Sequence, residues 1–325
     1  MTWEQRRHAI ELMGFTERHA GFLVTVMLHA GVCIGRQYCA FARIAYGRTM
    51  HDFFESLLAR GVATARRCGH NRARLFHIHS KPLYRAIGEP NNRHRKPMTL
   101  ARAVERLMLL DAVLAHPDRT WLATEQEKLS HFTLTHRVPR RDLPTLTFRA
   151  DDDSGATARY FPDKLPIGVH RDGYTFLYLV TRDVPVDFRA FLERHAALLR
   201  ALPQWTLRLL VPRHKTDAIP AYQAAFREQL TSPLDPTLLE HVRWYFDARR
   251  KGVSGPDERF DHAARAFAAP RFQALYRAWV KRGEPVLDAT LSSVLADHVA
   301  WGTGKLECHV LPHSYLCLLP LVGTA

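Results

Sequence analysis

After Gly61 the apolar pattern of this chain changes period, from about 3.6 residues to 2, and that switch limits the folds open to it. Upstream, three segments read as short helices. Thr16 is placed to cap ERHAGFLVTVMLHAG, where Phe22, Leu23, Val26 and Met27 share one face and Gly31 provides the stop. A small apolar run, Val32-Cys33-Ile34, ends at Gly35, and residues 36–45 form a second helix before Tyr46-Gly47. Thr49 caps a third, MHDFFESLLAR, with Asp52 in its first turn, where the helix dipole favours an acid. Phe53, Phe54, Leu57 and Leu58 give that helix its inward face. Downstream, 62–67 and 74–79 are two strands joined by the turn Cys68 to Arg72, with Leu75, His77 and His79 alternating against Phe76 and Ile78.

Helix, strand, helix, helix and basic hairpin is the order of a winged helix-turn-helix. Helices are expected to follow at 81–88 and 99–115, the latter with an apolar stripe through Val104, Leu107, Leu110 and Leu114 wide enough for a core or a dimer seam. A further helix is expected from Asp118 to Phe132. Beyond Pro139, Pro144 and the acidic DDDSG come strands at 145–149, 157–161, 166–170 and 174–181, a helix at 187–202 and a strand at 205–211. Helices at 217–230, 235–250, 258–281 and 286–299 follow, then two apolar runs at 306–311 and 315–319. The expected fold class is α+β: an N-terminal winged helix-turn-helix, a mixed α/β domain and a mainly helical C-terminal region. Its domains are expected at 1–115 and 141–325, with a connecting helix or linker at 116–140.

Charge gives the first third a direction. The 325 residues carry 46 Lys+Arg against 32 Asp+Glu, a net of +14. Residues 1–115 hold 18 basic and 8 acidic residues, a net of +10, so only +4 falls on the remainder. Within 60–106 the imbalance is 12 to 2. Such concentration favours a polyanionic partner for the N-terminal part. No window holds the roughly 18 uninterrupted apolar residues of a membrane helix, and MTWEQRRHAIELMGF lacks a signal-peptide run. The five cysteines, without a CxxC pair, read as reduced thiols packed as small hydrophobes, so a cytoplasmic location and no membrane partner are expected.

A recognition helix offers polar or basic side chains near its N-terminus to base edges in the major groove. Here Arg48, Thr49, Met50 and His51 occupy that end. Arg66, Arg67, His70, Asn71, Arg72 and Arg74 at the hairpin would hold the phosphate backbone, which dominates affinity. Double-stranded DNA and a second copy of the chain, as a homodimer on two half-sites, are therefore the expected partners, with no cofactor. The basic run 91–96 (NNRHRK) reads as a loop able to add phosphate contacts. His77-x-His79 near Cys68 suggests a metal site but has no further ligand pair at zinc-like spacing. In the cluster Cys308, His309, His313 and Cys317 the alternating strands LECHVL and YLCLL make the cysteines core residues, so no metal is expected at either.

The segments FLVTVMLHAGVCIGRQYCAFA, HDFFESLLARGVATA and RARLFHIHSKPLYRAIG resemble the replication-relaxation type of winged-helix protein, found on plasmids and integrative elements. The resemblance covers about residues 15–115 and implies transcriptional or replication/transfer control. Pro162-Asp163, the strand FLYLVT, the helix at 187–202 and the strand WTLRLLV are similar to the core of PD-(D/E)xK nucleases. That family needs an acid-x-Lys on the strand after the first Asp, to hold Mg²⁺ and aid the attacking water. Asp163 matches the first position, but 174–181 contains neither acid nor Lys; Asp183 and Glu193 are the remaining substitutes. A degenerate, non-catalytic nuclease-like domain is the expectation, with a metal-dependent nuclease centred on Asp163 as the enzyme alternative. A protein-interaction adaptor in a defence system is the third. No GxSxG, GxxxxGK[ST] or GxGxxG occurs.

Overall fold

Apolar period and capping residues account for most of the helices and strands in the computed structural model, which describes residues 1–68, 73–148, 157–252, 257–315 and 318. The chain is a mixed α/β protein that divides into two compact units, 1–124 with 310–325, and 125–309.

The first unit opens with α1 (Trp3–Glu11), a helix whose sparse apolar content hides it in the sequence; Thr2 and Gln5 close a capping box at its start. Thr16 caps α2 (Glu17–His29), which is buried along nearly its whole length. Next come β1 (Val32–Ile34), α3 (Gly35–Ala42) and α4 (Arg48–Ala59). The second helix expected to run to residue 45 stops at Ala42 because Arg43 turns into the left-handed region at φ +52°. Gly47, not Thr49, stands at the N-cap of α4. The hairpin is β2 (Ala63–Arg67) and β3 (Arg74–Ile78), with Arg67 opposite Arg74, and β3 also pairs with β1 to give the order β1-β3-β2. Leu75, Phe76 and Ile78 are all buried, so the alternation expected along this strand is lost: both faces are covered. The short helix α5 (Lys81–Ala86) and α6 (Leu100–Leu114) follow, the latter capped by Thr99. Leu107 and Leu110 are fully buried inside the unit, so that stripe serves the core. Thr120 to Leu122 form a strand, β4, where one continuous helix to Phe132 is expected from the sequence. The closing segment from Val310 belongs to this unit: Tyr315 is buried and hydrogen-bonds to Asp111 on α6.

In the second unit α7 (Glu125–Ser130) precedes an antiparallel hairpin, β5 (Thr145–Phe148) and β6 (Thr157–Tyr160). A second hairpin, β7 (Ile167–His170) with β8 (Gly173–Leu179), continues through α8 (Val186–Ala201) into β9 (Trp205–Val211), which lies parallel to β8. Parallel neighbours need such a crossover. Both faces of β8 and β9 are largely buried, which explains their near-continuous apolar sequences. After α9 (Ile219–Leu230) and α10 (Pro236–Lys251), the expected helix 258–281 is broken into α11 (Glu258–Ala266) and α12 (Pro270–Arg282). The cause is Pro270, which holds Ala269 extended at ψ 144°. These helices close a small core around Val242, Phe246, Trp279 and Leu287. The expected helix 286–299 is likewise split, into α13 (Pro285–Asp288) and α14 (Val294–Ala300). The last strand, β10 (Gly304–Val310), lies beside β9, giving the order β10-β9-β8-β7. No helix among the described residues is long and apolar enough to cross a membrane.

Candidate nucleic-acid interface

Helix α4 owes its orientation to four inward residues, Met50, Phe53, Phe54 and Leu57, all buried. Their spacing of 3, 4 and 7 is one helical face. Phe53 stacks on Tyr38 at 4.3 Å and Phe54 on Phe76 of β3 at 3.9 Å, so helix and hairpin share one aromatic core. Met50 is therefore not available to a base edge, contrary to the expectation from its place in the first turn. It is 2% exposed, and its Sδ lies where a Cβ on Gly35 would need to be. Arg48, Thr49 and His51 do face outward. Asp52 lies 3.6 Å from Arg48, a fully solvated pair.

Arg66 and Arg67 are exposed on β2 and have no ion-pair partner among the described residues. Arg74 is different. Its Nη2 donates to Glu55 Oε1 at 2.6 Å, and its guanidinium lies 5.2 Å from the Phe76 ring, so it is half-buried and engaged. Because Glu55 follows His51 by one turn on α4, and Arg74 faces Arg67 across the hairpin, the exposed turn of the helix and the exposed strand form one continuous surface. His70, Asn71 and Arg72 lie outside the described residues. Tyr46 escapes a search for polar and basic side chains, yet it is 66% exposed and its ring meets His51 edge-on at 5.7 Å. Its position in the break before α4 is the signal that marks it.

The other chemistry-bearing residues are engaged elsewhere. His77 donates through Nε2 to the His94 carbonyl at 3.0 Å, and burial lowers its pKa, so this nitrogen is committed to the fold. His94, inside the basic run 91–96, is buried, and burial pushes it well below the ordinary range; that run is partly interior rather than a free phosphate grip. Burial also lowers Arg93 to about 10, with Arg106 and Arg102 adding to the effect. Cys68 and Cys308 are half-buried thiols, and Cys317 lies outside the described residues. Among the described residues no group of three His, Cys, Asp or Glu side chains is placed to hold a metal ion.

The three carboxylates weighed for a nuclease centre are not brought together on a metal. Asp163 accepts from Arg194 Nη2 at 2.5 Å, Asp183 from Lys215 at 3.0 Å, and Glu193 pairs with Arg282. Strand β8 presents Tyr174, Phe176 and Tyr178 in place of an acid or a lysine. The Tyr174 hydroxyl instead lies between His131, 3.0 Å away, and His136. Burial raises this phenol to about 12, so it stays protonated, donating to one imidazole and accepting from the other. In comparisons with protein-family models, curated proteins and solved structures, nothing matches this chain.

Proposed function

We propose that the first unit is a winged helix that docks on double-stranded DNA, with α4 as the recognition helix and the β2–β3 hairpin as the wing. The observation that carries this is the pair Arg66 and Arg67, exposed and without ion-pair partners among the described residues, on a hairpin whose other strand is tied to α4 through Arg74 and Glu55. Two solvated arginines on a hairpin packed beside a recognition helix are what a phosphate backbone needs, and the helix N-terminus itself adds positive potential. Arg48, Thr49 and His51 reach base edges in this reading, while Met50 supports the helix from below. Tyr46 supplies a flat surface for a sugar or base. Binding as a homodimer on two half-sites would raise affinity without new contacts. The resemblance noted over residues 15–115 favours transcriptional or replication/transfer control on a mobile element as the setting.

The test is fluorescence anisotropy on a duplex recovered by in vitro selection, titrated with salt. Each phosphate contact should add about 0.9 to the slope of log affinity against log salt. Reversing Arg66, Arg67 and Arg72 to Glu together should abolish binding while the circular dichroism spectrum stays unchanged. Normal binding by that variant would remove the wing assignment. Absence of duplex affinity near physiological salt would leave the protein-adaptor reading in its place.

A further inference from the structure

A pocket of about 530 Å³ opens within the second unit, walled by α8, the end of α9, α12 and the segment carrying α13 and α14. That volume suits a ligand of nucleotide size. Its lining is asymmetric in charge: four guanidiniums, from Arg141, Arg200, Arg271 and Arg282, against the carboxylates of Asp142 and Glu193. Arg282 is neutralised by Glu193, and Arg141 lies 3.9 Å from Asp142. Arg200 and Arg271 have no carboxylate within ion-pair distance among the described residues; Glu228 acts on Arg271 from further away and is itself paired with Arg189 at 2.7 Å.

The two remaining arginines are fixed by backbone carbonyls. Arg200 Nη2 donates to Ala289 O at 2.9 Å, and Arg271 Nη2 donates to Ser232 O. Both side chains are partly desolvated, and burial lowers the pKa of each. Two lining residues, Arg200 and Gln229, also carry a polar atom that is left over beneath the pocket surface. Arg200 Nε is a buried donor, and Gln229 Oε1 a buried acceptor, with no hydrogen-bond partner among the described residues. Unsatisfied buried groups of this kind are uncommon and costly, and here one of each kind belongs to the same pocket. Leu230, Leu275 and Leu295 supply an apolar wall.

We infer that this pocket binds an organic phosphate of nucleotide size, with the phosphate held by Arg200 and Arg271 and an apolar ring against the leucines. Two guanidiniums without a carboxylate at ion-pair distance among the described residues match the two charges of a phosphomonoester, and their planar forks pair bidentately with its oxygens. The inference stands apart from the DNA-binding surface, since none of its residues lies in the first unit.

Isothermal titration calorimetry and thermal melting on the full chain, at constant ionic strength with about 150 mM NaCl, test it with adenosine 5′-monophosphate as the probe. Inorganic phosphate and citrate serve as comparators. The monophosphate should bind at least about tenfold more tightly than either comparator and raise the melting temperature, and Arg200→Gln and Arg271→Gln should each weaken it by at least about tenfold. If Arg200→Gln fails to fold, Arg271→Gln and Gln229→Glu carry the test, because neither removes a buried ion pair. The variant with Arg66 and Arg67 both changed to Glu should bind the monophosphate like the parent, which separates this site from the proposed DNA surface. Absence of binding, equal response to all three anions, tighter binding of citrate, or unchanged affinity in the folded arginine variants would each overturn the inference.

Discussion

Arg74 on β3 and Glu55 on α4 meet through a charged hydrogen bond of 2.6 Å, and this contact joins the hairpin to the helix on the outer surface. Both residues keep access to solvent, at 28% and 57% exposure, so the pair is screened and contributes little to stability, about 1 kcal/mol or less. Its larger effect is on charge: Glu55 places a carboxylate where phosphate is proposed to lie. Glu55→Gln should therefore change the urea midpoint only slightly and tighten duplex binding about two- to fivefold, by releasing Arg74. Weaker binding in an anisotropy titration would mean that Glu55 is needed to aim Arg74.

Asp111 is the acceptor for a larger cluster. Arg36 donates to both of its oxygens, at 3.1 and 2.8 Å, Gln37 Nε2 donates at 2.8 Å, and Tyr315 adds its hydroxyl. Gln37 is fully buried, so removal of the carboxylate leaves its Nε2 only the Leu107 carbonyl at 2.9 Å and strips Arg36 of its counter-charge. Asp111→Ala should cost about 2–4 kcal/mol and Tyr315→Phe about 1 kcal/mol, read by chemical denaturation. Equal small losses in both would show the cluster to be solvated.

His195 makes stability depend on acid. It is buried against Phe191, with ring centroids 3.9 Å apart, and donates through Nδ1 to the Phe191 carbonyl. Burial pulls its pKa from 6.5 down to about 4, opposed by Asp163 and reinforced by Arg194 and Lys128. The unfolded chain takes up a proton near pH 6.5 that the folded chain refuses. Stability present above pH 6.5 is thus lost as pH falls toward 4, by up to about 3 kcal/mol. His195→Phe should flatten that limb of a stability-versus-pH curve. An unchanged slope would place the titration elsewhere.

Gly31 ends α2 at φ +72°, and a Cβ there would fall on the His94 carbonyl oxygen. Left-handed strain and overpacking then act together, so Gly31→Ala should destabilise the first unit by about 2–4 kcal/mol. Hydrogen exchange in β1 and β3 should rise with it, since Ile78 N donates to Gly31 O at 2.9 Å. A variant as stable as the parent would show that residues 91–96 yield easily.

Short-range signals made much of this fold legible. The Thr16 cap, the strand 205–211 and the helix start near Pro236 are all written in neighbouring residues. Helix α1 was not legible, because only Arg6 and Ile10 are buried along it and its stability comes from packing against α2 and α5. The break at Pro270 has a local signal, the residue before proline, which the surrounding helical period masks. At the candidate interface, position along α4 marks Arg48, Thr49 and His51, yet the same reasoning admits Met50. Whether a first-turn residue points in or out depends on where the helix is docked, and Phe53 and Phe54 set that docking against Tyr38 and Phe76.

The sequence by itself determined the order of helices and strands from Glu17 to Ile78, the change of period after Gly61 and the concentration of base in the first third. These depend on residues within a few turns of one another, where backbone preference and side-chain period act directly. Only the tertiary structure decided which charges stay free. Asp163 and Arg194 are 31 positions apart and Glu55 and Arg74 are 19 apart, and each pair forms because folding brings the elements together. Arg66 and Arg67 stay exposed and without an ion pair because no carboxylate among the described residues is folded against them.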